Sequence, residues 1–512
     1  MNIKDFIGPF VFALAATWAL QTFWFNSPSK NTVSDRTGTT FTAPTNVSET
    51  KPLIREVDFI DTHSNTPEQL TRVETACAVY TLSNRGATVA RMEFKPCLHG
   101  SETVLTTIDS TLETQREHLP FLVALDTKTP FNYQLISNTD YDDRVVLVYR
   151  AVDSPVGIEK TYTLYKQLYK MDLALTITPA NGQPVTPRLL FSAPLLQDAS
   201  IDSIPRALFA GPQGKVQSLE RSKIDINTGW FKPNFFGSQD KYFVHALVSD
   251  PLSFVQRAYY DLAGKDQIIS ILESAPITDS TTWTLSFYVG PKEEHAMNQV
   301  DVRLQESLDY AGWLAPISRV LLKILQWIYS FAHNYGIAII LVTLLIRLIL
   351  FPFTIKSETS MKKQSEVQKK LAYIQQKYKS DPQRLALERA ELIKKNGMPG
   401  LGGCLPLLIQ IPVFFALSRV LSSSIQLYQA PFAWIPDLST KDPYYILPIL
   451  MVVVMVIQAL YAESSQRMSI LAMSLVLGAV TSSLSAGLAL YLVVSTALAV
   501  VQTIVQKKMK WA

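Results

Sequence analysis

From Met468 to Gln506 the chain runs for 39 residues without a charged side chain. A helix with one face in water carries charge on that face, so this run belongs in hydrocarbon. As a single helix it would be about 58 Å long at about 1.5 Å per residue, nearly twice a bilayer core of about 30 Å. Two spans with a tight turn at Ser482-Ser483-Leu484-Ser485-Ala486-Gly487 fit better. Further apolar runs occupy Phe6–Phe25, Tyr335–Thr354, Cys404–Ser424 and Pro443–Ala462. Only helices satisfy every backbone polar group in lipid at these lengths, which predicts six spans. The first run follows Lys4 and ends in Trp24-Phe25 rather than in small residues. It exceeds the apolar stretch of about 7–15 residues usual in a cleaved signal peptide, so residues 1–25 read as an uncleaved anchor.

Charge sets the orientation. Only 18% of the chain is charged, against about 25% in soluble proteins. A net charge of +4 conceals a strong asymmetry: residues 355–400 hold eleven Lys/Arg against five Asp/Glu, and the tail 507–512 adds Lys507, Lys508 and Lys510. With both termini inside the cell, the basic segment 355–403, Arg467 and this tail all face the cytoplasm, as short basic loops do. The mirror topology contradicts each of them.

The outside then receives residues 26–334. Residues 26–54, rich in Ser, Thr, Asn and Pro, read as a flexible linker. Over 55–305 the pattern turns to short β-branched and aromatic runs, among them Val145–Tyr149, Thr161–Tyr165, Leu173–Thr178, Ile268–Leu272 and Trp283–Val289. Bounded by turn residues, they predict one large all-β sandwich. His63, His99, His245 and His295 are scattered without metal-ligand spacing, so neither a catalytic site nor a cofactor is expected here, and a docking or spacer role is favoured over a ligand cleft. Cys77 and Cys97 both fall on the oxidising side; a disulfide and two separately buried thiols are equally compatible with the sequence. Cys404, at the inner end of a span, cannot join that pair.

Two helical segments flank the spans. Within the interfacial region 306–334, Arg319, Lys323, Gln326 and Ser330 form one polar stripe. Leu314, Ile317, Leu321, Ile324, Leu325 and Ile328 lie opposite, which predicts an amphipathic helix on the outer membrane surface; a helix packed on the β domain is the rival reading. Lys356–Lys379 and Pro382–Lys395 read as a basic helical hairpin broken at Ser380-Asp381-Pro382.

Arg347 stands among Leu344, Leu345, Ile346, Leu348 and Ile349. Placing it in lipid costs at least about 2.5–3.5 kcal/mol, and arginine stays protonated. It either snorkels to the cytoplasmic face or lines a wet cavity between helices. None of the six runs contains Asp or Glu, so the spans offer no counter-ion. Thr343, Gln410 and Gln458 are the polar groups able to solvate it with water.

With these residues in view, the sequence resembles the YidC family of membrane protein insertases, in the long form of bacteria with two membranes. The resemblance rests on Tyr335-Gly336, Ile346-Arg347 and Phe351-Pro352-Phe353-Thr354. It continues through Gly402-Gly403-Cys404-Leu405-Pro406, Gln410-Ile411-Pro412, Gln429-Ala430-Pro431-Phe432, Asp442-Pro443-Tyr444-Tyr445 and Gly487-Leu488-Ala489-Leu490-Tyr491. It implies a conserved core of five helices over 335–506, with a hydrophilic groove open to the cytoplasm and to lipid. Arg347 matches the groove arginine, and Thr343, Gln410, Gln458 and Tyr491 fall at lining positions. Pro412, Phe414 and Phe415 match the greasy slide for the substrate. The resemblance also implies a periplasmic β-supersandwich, an inner-membrane location, and nascent membrane proteins, the Sec translocon and the ribosome as partners. Two departures stand out: Leu484-Ser485-Ala486-Gly487 lacks the family's proline, and Leu492 replaces a second aromatic after Tyr491.

Such a protein would insert membrane proteins without covalent chemistry, cofactor or small-molecule substrate. A secondary transporter, the alternative, would carry carboxylates in its spans and a repeated half; the sequence has neither. A membrane-anchored carbohydrate enzyme would need paired carboxylates in the exported domain.

Overall fold

A computed structural model describes residues 67–95, 105–109, 119–125, 131–152, 154–180, 182–195, 205–211, 214–263, 267–308, 315–379, 381–396, 405–462 and 464–509. The anchor 1–25, the linker 26–54, Cys97, His63 and His99 lie outside them. The chain forms two compact units, one of sheets and one of helices.

The sheet unit is wholly antiparallel. A four-stranded sheet joins Leu70–Glu74, Ala78–Ser83, Thr88–Phe94 and Leu105–Asp109 in chain order. A five-stranded sheet runs Gly229–Phe231, Arg257–Ala263, Gln267–Glu273, Arg188–Ser192, Leu122–Ala124. The largest has nine strands: Gln217–Glu220, Arg206–Ala210, Phe235–Gln239, Phe243–Ser249, Thr281–Pro291, Lys170–Thr178, Gly157–Tyr165, Arg144–Ala151, Tyr133–Asp140. Its middle strands show a clean period of two, with Ile158, Tyr162 and Leu164 inward on one and Met171, Leu173, Leu175 and Ile177 on the next. Tyr260 ties the two larger sheets together, its hydroxyl donating to Leu208 O at 2.7 Å and Gly237 O at 2.9 Å. The five runs read as strands are strands, and among the described residues the unit sorts into three sheets.

The inward phase carries one surprise. Lys160 falls on it and is fully buried, and its ammonium donates to Gly86 O (2.7 Å), Ala87 O (3.1 Å) and Phe121 O (2.6 Å). All three acceptors belong to residues at positive φ. Burial pushes this amine well below its ordinary range, yet three acceptors match the three donors of an ammonium and not the two of a neutral amine. A short helix, α1 (Glu294–Val300), closes the unit.

The helical unit opens with α2 (Ala315–Ala332). Leu321, Leu322, Leu325 and Ile328 are buried, whereas Ile317, Val320, Trp327 and Phe331 form an exposed apolar stripe beside the exposed Lys323. Helix α3 (Tyr335–Lys377) follows, its first turn capped by Asn334, whose Oδ1 accepts from Ile337 N at 3.1 Å. This is a correction. The expected span and the first helix of the basic hairpin are one helix of 43 residues with Pro352 inside it. Proline removes one backbone bond, and the Lys- and Gln-rich stretch beyond it favours continued helix.

The hairpin closes with α4 (Pro382–Asn396), packed on α3 and capped where expected: Asp381 Oδ1 accepts from Arg384 N at 3.1 Å. Helices α5 (Leu405–Ser423), α6 (Ile446–Tyr461), α7 (Ser464–Ser483) and α8 (Ala486–Met509) complete the unit. The 39-residue run breaks at Leu484-Ser485, inside the predicted turn. Among the described residues, Tyr335–Pro352 and Ala486–Val505 are long and apolar enough to cross a bilayer; Pro412–Ser423, Ile446–Tyr461 and Arg467–Ser483 are apolar but shorter. Helix α6 packs on α7 and α8, α8 on α3, and α3 on α2.

Candidate functional site: an arginine on the α3–α8 seam

The N-terminal ends of α3 and α8 are tied together by the loop before α6. Ala486 N and Gly487 N, orphan donors at the start of α8, donate to Thr440 O (2.6 Å) and Leu438 O (2.8 Å). Asn334 Nδ2 reaches Pro431 O at 3.3 Å. Phe432 lies against Gly336, where a Cβ would meet its ring at 2.1 Å; only glycine permits that approach. Asp442 anchors the far end of the loop, accepting from Trp434 Nε1 (3.3 Å), Tyr444 N (3.1 Å) and Leu447 N (2.7 Å).

Further along the same seam lies Arg347, twelve residues into α3 and about 18 Å from its start. It is half-buried. Its Nε and Nη2 both donate to Ser495 Oγ on α8, at 3.2 and 2.8 Å. Among the described residues no carboxylate pairs with it. A neutral hydroxyl satisfies hydrogen-bonding capacity without cancelling charge, so the cation is held but not neutralised.

Thr343 is one turn earlier on α3, fully buried, its hydroxyl spent on Ile339 O at 2.6 Å. Tyr491 is one turn before Ser495 on α8 and fully buried. Arg347 and Ser495 therefore join α3 to α8, with Thr343 and Tyr491 buried one turn earlier on their own helices. Gln458 stands half-buried on α6. The backbone of Gln410 belongs to α5, and its side chain lies outside the described residues. Pro412, Phe414 and Phe415 are half-buried along α5, the two rings 5.5 Å apart. Ser495 was not anticipated. A serine in an apolar helix ordinarily bonds back to its own helix, as Thr496 does to Leu492 O at 2.8 Å, so nothing in the sequence set it apart.

In the sheet unit, Cys77 is half-buried. His245 is buried, its ring Nδ1 3.0 Å from Ser192 O, and burial pushes it down to about 4. His295 is exposed on α1. No cluster of metal-ligating side chains occurs among the described residues.

Two family models divide the chain between them: the YidC periplasmic domain matches residues 71–324 and the 60Kd inner membrane protein family matches 327–511. The membrane protein insertase YidC of Geobacter metallireducens is 32% identical over 366 residues, covering 68% of each chain. The chain belongs to the YidC family of membrane protein insertases. The YidC of Geotalea daltonii is 36% identical over 291 residues, or 55% of this chain and 53% of that one, so the match spans about half the length of some of these relatives. A crystal structure titled as an active YidC insertase with its first transmembrane domain resolved is 18% identical, covering 86% of this chain and 93% of that one with a TM-score of 0.38. The YidC family is thus reached from both units of the chain, and the sheet unit is its periplasmic domain.

Proposed function

We propose that this protein inserts and helps fold membrane proteins in the inner membrane, alone or with the Sec translocon, and receives nascent chains from the ribosome. The observation that carries the mechanism is Arg347, a permanent cation held by a neutral hydroxyl with no carboxylate beside it among the described residues. Such a charge suits a transient anionic guest. A substrate must carry a polar, often acidic segment across hydrocarbon while its apolar helix enters lipid. A hydrated groove around Arg347, reached from the cytoplasm, shortens the low-dielectric path and attracts that segment. The loop that ties α3 to α8 supports closure of the outer end. The apolar helix then leaves sideways past Pro412, Phe414 and Phe415, driven by burial at about 25 cal/mol per Å².

In this reading the anchor and five further helices span the membrane, with both termini cytoplasmic. The basic hairpin α3–α4 meets the ribosome or anionic headgroups. Residues 55–305 form the exported domain and 306–334 lie on the outer surface. Thr343, Gln410, Gln458 and Tyr491 line the groove, and no covalent step or cofactor takes part.

Reconstitution in liposomes tests this directly. Nascent chains of a short membrane protein become protease-protected in proteoliposomes and not in empty liposomes; equal protection in both would overturn the proposal.

A further inference from the structure

A guanidinium presents two edges able to grip a carboxylate with paired N–H groups: the Nε–Nη2 edge and the Nη1–Nη2 edge. In Arg347 the first edge is taken, because Nε and Nη2 converge on the single oxygen of Ser495 at 3.2 and 2.8 Å. The second edge has no protein partner among the described residues. Ser495 is buried on α8 one turn below the fully buried Tyr491, so its hydroxyl is a fixed point and not a mobile surface group. A long, rotamer-rich side chain loses freedom when it binds. A hydroxyl that already holds one edge removes part of that loss and fixes the direction of the other.

We propose that Ser495 is a positioning residue: by occupying the Nε–Nη2 edge of Arg347 it presents the Nη1–Nη2 fork end-on to a carboxylate of the inserting chain. This rests on the reading of Arg347 given above and adds to it a specific geometry and a residue acting through the arginine. The preference is for planar carboxylates, which match the fork, over acidity in general.

The test uses the full-length protein in proteoliposomes and two nascent substrates that differ only in Asp against Asn in the translocated tail. Ser495→Ala is expected to lower insertion of the Asp substrate at least about tenfold, the scale of one hydrogen bond to a charged group, and to leave the Asn substrate unchanged. Ser495→Thr keeps the hydroxyl and restores insertion. In an Arg347→Lys background, which keeps the charge but has no fork, Ser495→Ala should add nothing further. Equal loss for both substrates, or no rescue by threonine, would make Ser495 a packing residue and overturn the proposal. If Arg347→Gln abolishes the Asp preference while Ser495→Ala behaves as wild type, the groove reading survives and the positioning role falls. If Arg347→Gln also leaves the preference intact, both fall.

Discussion

Phe432 rests on Gly336 so closely that the ring occupies the space a Cβ would need, 2.1 Å from the ideal position. Loop and helix α3 are thereby locked at the N-terminal end of the seam, beside the backbone bonds from Ala486 and Gly487. Gly336→Ala is expected to destabilise the helical unit by about 1–3 kcal/mol, the usual cost of overpacking. Phe432→Ala should relieve most of that cost, so the two changes couple in a double-mutant cycle. Thermal unfolding in detergent measures this; additive effects would show that the contact does not define the closure.

Lys160 makes a second prediction, in the periplasmic domain. Lys160→Met leaves the carbonyls of Gly86 and Phe121 without the donor they now have. At about 1–3 kcal/mol per unsatisfied buried group, the loss should reach several kcal/mol. Hydrogen exchange of strand Gly157–Tyr165 in the full chain should rise accordingly, and unchanged protection would refute the ammonium cradle.

His245 should make the same domain sensitive to acid. Burial lowers it from 6.5 to about 4, so the unfolded chain takes up a proton before the folded one does. Its contribution is complete above pH 6.5 and is lost as pH falls toward 4, about 3 kcal/mol in all. Asp240 and Glu293 oppose it, because burial raises them to about 6 and about 7 and the folded state holds their protons more tightly. The difference between wild type and His245→Phe isolates the histidine. That difference, read from exchange of strand Phe243–Ser249 corrected for intrinsic rates, should shrink by about 3 kcal/mol between pH 7 and 4; a constant difference would contradict the assignment.

Charge at position 347 should select substrates. Arg347→Glu is expected to impair acidic-tailed substrates most, at least tenfold, since it turns attraction into repulsion at short range. Neutral-tailed substrates should suffer less. The insertion assay described above measures both, and equal loss for all substrates would discredit the attraction.

Much of this was legible in the sequence because lipid and the β pleat impose simple periodicities. Uncharged runs marked the apolar helices, Asp381-Pro382 marked the hairpin break, and β-branched and aromatic runs between turn residues marked five of the strands. The span and the first helix of the hairpin were read apart because apolar sequence gives way to charged sequence after Thr354, whereas one helix runs through both. How the strands sort into three sheets was not legible, because pairing between distant strands, such as Arg188–Ser192 with Leu122–Ala124, leaves no local signal. Lys160 was invisible for the same reason: its three acceptors come from residues 39 to 74 positions away. Arg347 was found from its cost alone; Ser495 was not, because a single hydroxyl in a span costs little.

The central claim is that Arg347 sits in water reached from the cytoplasm and closed from outside. It is tested most directly by replacing Cys77, Cys97 and Cys404, introducing Arg347→Cys, and treating oriented membrane vesicles with a membrane-impermeant maleimide. The account predicts labelling from the cytoplasmic side and none from the periplasmic side. Labelling from the periplasm, or from neither side, would contradict it.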